Sequence, residues 1–412
     1  MSRFTPKTLA GSSLRVIAAG LALALVGQPV LGQAPADKPT YPARPTAPAG
    51  APNILVIMTD DTGFSASSAF GGSVPTPNID ALAKKGLRYN RFHTSAMCSP
   101  TRAALLTGRN SHSVGFGVIS EEASPDPGYN SIIPNSAATF AKVLGMNGYD
   151  TAMFGKHHNV PVWEETPLGP YDHWPTGLGF NYYYGFMGGA TNQFAPALIE
   201  NVNWKEIDQA TPDYILDKDL ADHAIDWLHM QHSINAKAPF AMYYAPGSTH
   251  SPHQAPAEWI ARFKGKCDQG WDKLREENFA RQKREGSIPA NTDLTPRPKE
   301  FPAWSSLSAD QRRVQARMME VAAAQLAYLD HEIGRIVTAL KENGQFDNTM
   351  IVFIIGDNGA SLEGSPEGTV DEIARNKNKM PESLQDQIKA MDAFGTRYSW
   401  NNYPAPWAWA NN

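Results

Sequence analysis

The residues of this chain whose types and spacing suit joint chemistry are Asp60-Asp61, Cys98 with Arg102 four positions on, Lys156 with His158, His250, and Asp357-Asn358. Asp60, Asp61, Asp357 and Asn358 offer oxygen ligands only, which suits a hard cation, Ca²⁺ or less readily Mg²⁺, and not zinc. Taken singly, each pair has a plainer reading: a turn capping a helix for Asp60-Asp61, a hairpin turn for Asp357-Asn358-Gly359. Lys156, His158 and His250 around such an ion would serve an oxyanion ester, neutralising nonbridging oxygens and protonating a leaving group. Cys98 precedes a predicted helix N-terminus, where free N–H groups favour anions and nucleophilic sulfur, and Arg102 returns to the same patch one turn later. The alternative for Cys98 is a disulfide with Cys267, the other of the two cysteines; a bridge across so long a loop contributes about 4–5 kcal/mol in the chain-entropy model. His93, His112, His157 and His253 are read as ordinary loop, surface or core histidines.

The elements that must position these groups read as α/β. Ile54–Met58 is a continuous apolar run, the mark of a strand buried on both faces, and it stops at Thr59-Asp60-Asp61. Tyr149–Phe154, Phe240–Ala245 and Met350–Ile355 resemble it, running into Lys156-His157-His158, His250 and Asp357-Asn358. Helices are predicted at Pro77–Lys85 with Thr76 as N-cap, at Pro100–Thr107 capped by Ser99, and at Ser136–Met146. The strongest helix spans 309–343, with a Ser308/Gln311 capping box and apolar positions from Val314 to Leu340 along one face. In an open, mostly parallel sheet, ligands bind beyond the carboxyl ends of strands, so four polar tips should meet on one edge.

The 412 residues, 42% hydrophobic and 19% charged, exclude a disordered or fibrous chain. A net charge of −5 with no long basic run argues against nucleic acid as a partner, and two cysteines cannot build a disulfide framework or a cysteine-rich zinc site. Residues 1–33 combine a basic start, an apolar run from Val16 to Val26 and small residues near Gly32. This is the pattern of a cleavable secretory signal, too short to span a bilayer, which implies a secreted or periplasmic protein with no stable membrane insertion after cleavage. Residues 34–52, rich in proline, read as a semi-rigid linker. The stretches 159–210 and 264–307, rich in Trp, Tyr, Pro and charge, are expected to shape a pocket rim.

Cys98-Ser99-Pro100-Thr101-Arg102, followed by Ala-Ala-Leu-Leu-Thr-Gly-Arg to position 109, closely resembles the Cys-x-Pro-x-Arg signature of type I, formylglycine-dependent, arylsulfatase-like sulfatases. The resemblance extends over much of 53–358 through Pro-Asn-Ile-Leu-Val-Ile-Met-Thr-Asp-Asp, Thr-Pro-Asn-Ile-Asp-Ala-Leu-Ala, Gly-Lys-His-His and Gly-Asp-Asn-Gly. It implies an α/β fold of the alkaline-phosphatase type, a mixed, mostly parallel sheet between helices. It implies that a separate formylglycine-generating enzyme oxidises Cys98 to Cα-formylglycine, whose hydrate attacks the sulfur of a sulfate ester with one hydroxyl and expels sulfate through the other. By the same resemblance Asp60, Asp61, Asp357 and Asn358 bind Ca²⁺ beside the modified Cys98, Arg102 and Lys156 orient and neutralise the hydrate and sulfate, His158 acts as base, and His250 contacts the sulfate or the leaving oxygen. Family members also carry a later active-site lysine and a smaller C-terminal domain. Here Lys377, Lys379 and Lys389 lie in a polar stretch, and the aromatic tail (Tyr398, Trp400, Tyr403, Trp407, Trp409) is expected to lack a partner element. The catalytic domain is therefore expected over 53–412 with its C-terminal subdomain missing or incomplete. The competing expectations are a phosphonate monoester or phosphodiester hydrolase using the same nucleophile, and a non-catalytic secreted binding module.

Overall fold

The computed structural model describes residues 44–207 and 213–411. The expected signal segment and the linker up to residue 43 lie outside the described residues; residues 44–52 run as mostly exposed coil and turn. In chain order the elements are β1 (Asn53–Met58), α1 (Pro77–Lys85), α2 (Cys98–Thr107), α3 (Phe140–Met146), β2 (Asp150–Lys156), β3 (Tyr182–Phe186), β4 (Leu198–Glu200), β5 (Asn203–Lys205) and α4 (Leu216–Asn235). There follow β6 (Phe240–Ala245), α5 (Ala257–Ala261), α6 (Gly270–Glu285), α7 (Ala309–Glu342), β7 (Thr349–Ile354), α8 (Glu372–Asn376), α9 (Leu384–Ala390) and α10 (Ala405–Ala410).

The strands form one mixed, mostly parallel sheet in the order β5-β4-β3-β2-β6-β1-β7. β3, β2, β6, β1 and β7 run parallel, and β4 and β5 close one side antiparallel. Side chains alternate between faces with period two. Leu55 and Ile57 of β1 pack with Trp227 of α4 and Ile333 and Ile336 of α7 on one face, while Val56 and Met58 pack with Leu106 of α2 and Ala141 of α3 on the other. Burial on both faces is why these strands read as unbroken apolar runs. A third apolar cluster gathers the first half of α7, Trp271 of α6, and Tyr403, Trp407 and Ala408 from the end of the chain.

Several expectations need correction. β7 is an edge strand with Met350 and Val352 exposed, not a strand covered on both faces. α2 begins at Cys98 with Met97 as N-cap and no capping side chain; the Ser99 hydroxyl instead accepts from the Ser120 N–H. Thr76 does not cap α1 by its side chain. That task falls to Asp330 of α7, whose carboxylate accepts from the Ile79 and Asn78 N–H groups at 2.8 and 3.2 Å. The third helix starts at Phe140, capped by Thr139, four residues later than expected. Within 159–207 and 264–307 lie β3, β4, β5 and α6, and Phe194, Lys264, Gly265 and Asp268 from the same stretches line a cavity, in keeping with the expected rim. The aromatic tail does have partners: Tyr403 stacks on His253 at 4.7 Å, and the Arg275 guanidinium sits over the Trp409 ring.

Candidate active site

The four strands β2-β6-β1-β7 are adjacent and parallel, so their carboxyl ends lie along one edge. Asp60 and Asp61 follow β1, Lys156 ends β2 with His158 just after it, His250 lies on the turn after β6, and Asp357 and Asn358 follow β7. Two glycines permit this closeness. Gly155 has φ +101°, and a Cβ there would stand 2.2 Å from the Ala245 carbonyl oxygen; Gly356 has φ +79°, and a Cβ would stand 2.0 Å from that of Thr62. Asp61 and His158 themselves adopt positive φ, 51° and 54°, a conformation uncommon outside glycine that recurs where a fold holds functional groups.

Every residue singled out from the sequence arrives here. One oxygen from each of Asp60, Asp61 and Asp357 lies within 4.8 Å of the others. Arg102, fully buried, donates through Nε and Nη2 to Asp357 Oδ2 at 3.1 and 2.7 Å and reaches Asp60 Oδ1 at 3.3 Å. Lys156 Nζ donates to Asp60 Oδ2 at 2.7 Å. Asn358 Nδ2 donates to Asp61 Oδ1 at 2.6 Å, and His250 Nε2 stands 3.7 Å from Asp61 Oδ2. Cys98 Sγ lies 3.1 Å from His158 Nδ1. Cys98 and Cys267 are both free thiols, so the disulfide alternative is absent.

Burial would raise Asp60, but Lys156 and Arg102 together hold it well below the usual carboxylate range. Burial raises Asp61 and, joined by the charge of Asp60, pushes Asp357 up to about 7. Three carboxylates thus face the two buried cations Arg102 and Lys156, with His250 as a third positive group beside Asp61. Asn358 Oδ1 is buried without a hydrogen-bond partner, and Asp60 Oδ1 has no hydrogen bond beyond its 3.3 Å ion pair with Arg102. An all-oxygen donor set of three carboxylates and an amide fits a hard divalent cation. His250 goes the other way: against burial, Asp61 pushes it up to about 10, so it carries a proton at neutral pH. Burial pushes the Cys98 thiol up to about 11.

Sequence reasoning missed Glu121. Its Oε2 lies 2.8 Å from His158 Nε2, and against burial this contact holds the carboxyl down at about 2. An ionised carboxylate at Nε2 places the imidazole proton there and leaves the Nδ1 lone pair facing position 98, the tautomer a base requires. Glu121 sits in a single 3-10 turn, Ser120–Glu122, 37 residues before its partner, and no local pattern marks it. His253 is a core histidine, fully buried between Gln325 Oε1 at 2.8 Å and Asn402 Oδ1 at 3.1 Å. His157 is a core histidine facing the His173 carbonyl, as expected.

A mixed, mostly parallel sheet between helices, with carboxylates, cations and a histidine-backed cysteine at its carboxyl edge, is an alkaline-phosphatase-like arrangement. The sequence model of the sulfatase family matches residues 52–391, and the chain belongs to that family. It is 31% identical over 372 residues to the arylsulfatase of Klebsiella aerogenes, covering 88% of this chain and 75% of that one. It is 33% identical over 386 residues to an uncharacterized sulfatase of Schizosaccharomyces pombe, covering 87% of this chain and 65% of that one. Among solved structures, that of Ps i-CgsB matches with a TM-score of 0.53 and 27% identity over 76% of this chain and 59% of the other. The chain thus spans between about three fifths and three quarters of the length of these relatives.

Proposed function

We propose that this chain hydrolyses aryl or alkyl sulfate esters. The observation that carries the reading is the convergence of Asp60, Asp61, Asp357, Asn358, Arg102, Lys156, His158 and His250 around position 98. Asp60, Asp61, Asp357 and Asn358 would hold Ca²⁺, beside the side chain at 98; when bound, the ion supplies positive charge that polarises the ester oxygens. A buried thiol near 11 is almost entirely protonated at neutral pH and a poor nucleophile. The Cys98-Ser99-Pro100-Thr101-Arg102 signature supports oxidation of Cys98 by a formylglycine-generating enzyme, which would supply a hydrated aldehyde hydroxyl in place of the thiol.

The remaining work falls to side chains already in position. Arg102 and Lys156, buried and fixed by Asp60 and Asp357, orient a tetrahedral oxyanion and offset the charge that builds on it. His158 accepts a proton at Nδ1, and Glu121 steadies the imidazolium that results. His250 directs its Nε2 proton at the leaving oxygen, while its Nδ1 faces the Ser251 carbonyl at 2.7 Å. We place the protein outside the cytoplasm, secreted or periplasmic, on the signal-like pattern of residues 1–33; no helix among the described residues is long and apolar enough to cross a membrane.

The test is turnover of p-nitrophenyl sulfate and of a p-nitrophenyl phosphonate by protein coexpressed with a formylglycine-generating enzyme, with the intact mass of the Cys98 peptide read alongside. The expected result is preferential sulfate turnover, an aldehyde mass at position 98, and a loss of about a thousandfold or more in Cys98→Ala. Dominant phosphonate turnover, or full activity in Cys98→Ala, would overturn the reading.

A further inference from the structure

His250 is presented by a turn that is strapped to the metal-side backbone. The Ser248 carbonyl accepts from the Asp60 N–H at 3.1 Å, and Thr249 donates to the Asp60 carbonyl through both its N–H and its hydroxyl at 2.9 Å. The Thr249 and Thr62 hydroxyls meet at 2.7 Å. Where this strap sits sets both the Asp60 backbone and the reach of His250.

Below the strap, Ser248 is completely buried, and its hydroxyl has three neighbours. Gln193 Nε2 and Gln325 Nε2 both donate into Ser248 Oγ, at 3.1 and 3.3 Å. A hydroxyl has one hydrogen and two acceptor sites, so with two amides donating in, its own hydrogen has to leave in the remaining direction. That direction is Asp217 Oδ2, at 2.6 Å. Asp217 is on the first turn of α4, is itself fully buried, and donates its backbone N–H to Gln193 Oε1 at 3.2 Å, which closes a ring. Its neighbours also include the Glu332 carboxylate of α7 and the Tyr244 phenol of β6. None of the groups assigned to the chemistry touches it.

We propose that Asp217 is a positioning residue for the active-site turn, its carboxyl holding Ser248 Oγ and thereby the Ser248-Thr249 strap that places His250 and the Asp60 backbone. The proposal rests on the sulfate-ester reading for its kinetic readout. A residue at 217 that cannot accept leaves a buried hydroxyl hydrogen without a partner, and the hydroxyl can recover one only by turning away from the two glutamines. Asparagine retains an accepting oxygen in the same place.

The experiment compares Asp217→Ala, Asp217→Asn, Ser248→Ala and the Asp217→Ala/Ser248→Ala pair in matured, metal-loaded enzyme. Its readouts are kcat and KM for p-nitrophenyl sulfate, and hydrogen exchange of peptides covering 246–251. Expected are a fall of about tenfold or more in kcat for each alanine variant with KM within about twofold. The double variant should be no worse than the worse single one, as for two ends of one contact, and Asp217→Asn should keep most of the activity. Exchange over 246–251 should quicken in Asp217→Ala while β1 and β6 stay protected. Wild-type kcat in Asp217→Ala, multiplicative losses in the pair, Asp217→Asn as impaired as alanine, or unchanged exchange would each overturn the proposal. If Asp217→Ala does not fold, an impaired Ser248→Ala beside an active Asp217→Asn supports it, and a fully active Ser248→Ala overturns it. If wild type turns over no sulfate ester, the functional reading fails by itself, and the exchange measurement still decides whether Asp217 holds the turn.

Discussion

Position 98, His158 and Glu121 form a line in which each group sets the state of the next. The carboxylate fixes the proton on Nε2, and that leaves Nδ1 open 3.1 Å from the Cys98 sulfur. Removing the charge but not the shape, as in Glu121→Gln, should lower kcat about 10- to 100-fold with KM nearly unchanged, because an outer hydrogen-bond partner acts on the state of the group it orients and not on substrate affinity. Steady-state kinetics on p-nitrophenyl sulfate checks this, and a loss confined to KM would refute it. His253 makes a different prediction. Burial pushes it down to about 4, below its ordinary value near 6.5. Below pH 6.5 the unfolded chain takes up a proton that the folded chain refuses, so the stability associated with neutral His253 is lost as pH falls from 6.5 toward 4. Relative to His253→Gln, wild type should therefore lose about 2 kcal/mol between pH 7 and pH 5, measured by urea unfolding at each pH.

At the scale of elements, the strands that carry chemistry were readable because full burial writes an unbroken apolar run, and the polar tip shows where each run stops. β1, β2 and β6 are of this kind, and α7 announced itself through the Ser308/Gln311 capping box that the structure contains. The edge position of β7 was not readable, since an edge strand with one exposed face can carry the same apolar residues as a central one. α4 has helically spaced apolar residues from Leu216 to Leu228, but it follows Ile215, which offers no capping side chain to mark a start. α6 buries Asn278 and Gln282 alongside Trp271 and Leu274, which blurs its apolar stripe. Glu121 and Asp217 were invisible because their partners are distant in sequence, 37 and 31 positions away. The tip of β2 carries a prediction of its own. With Gly155 at φ +101° and the Ala245 carbonyl where a Cβ would go, Gly155→Ala must push β2 from β6 and displace Lys156. We expect a loss of about 3 kcal/mol in stability by urea unfolding, with activity falling further than stability alone explains.

For the whole molecule, the carboxyl edge of the sheet concentrates charge that the fold cannot leave uncompensated. Asp60, Asp61 and Asp357 arrive from two loops nearly 300 residues apart, and Arg102 from α2 and Lys156 from β2 meet them, so the site ties together segments from most of the chain. Burial penalises each charge, and the two cations engage Asp60 and Asp357 but leave Asp61 to Asn358 and His250. An ion that binds only the folded arrangement adds to global stability by mass action, about 2.7 kcal/mol at a free concentration of one hundred times Kd. Chelation should therefore lower the thermal midpoint by several degrees, and Ca²⁺ should restore it in a saturable way. Mg²⁺ should restore it less, because a smaller ion that favours near-ideal octahedral geometry is poorly served by ligands already fixed by Arg102 and Lys156. Asp61→Asn should keep the fold but lose most of the Ca²⁺ response, since it removes the carboxylate that no lysine or arginine engages. A midpoint indifferent to chelator and to added Ca²⁺ would mean that Arg102, Lys156 and His250 alone balance the three acids, and the hard-cation reading of this edge would fall.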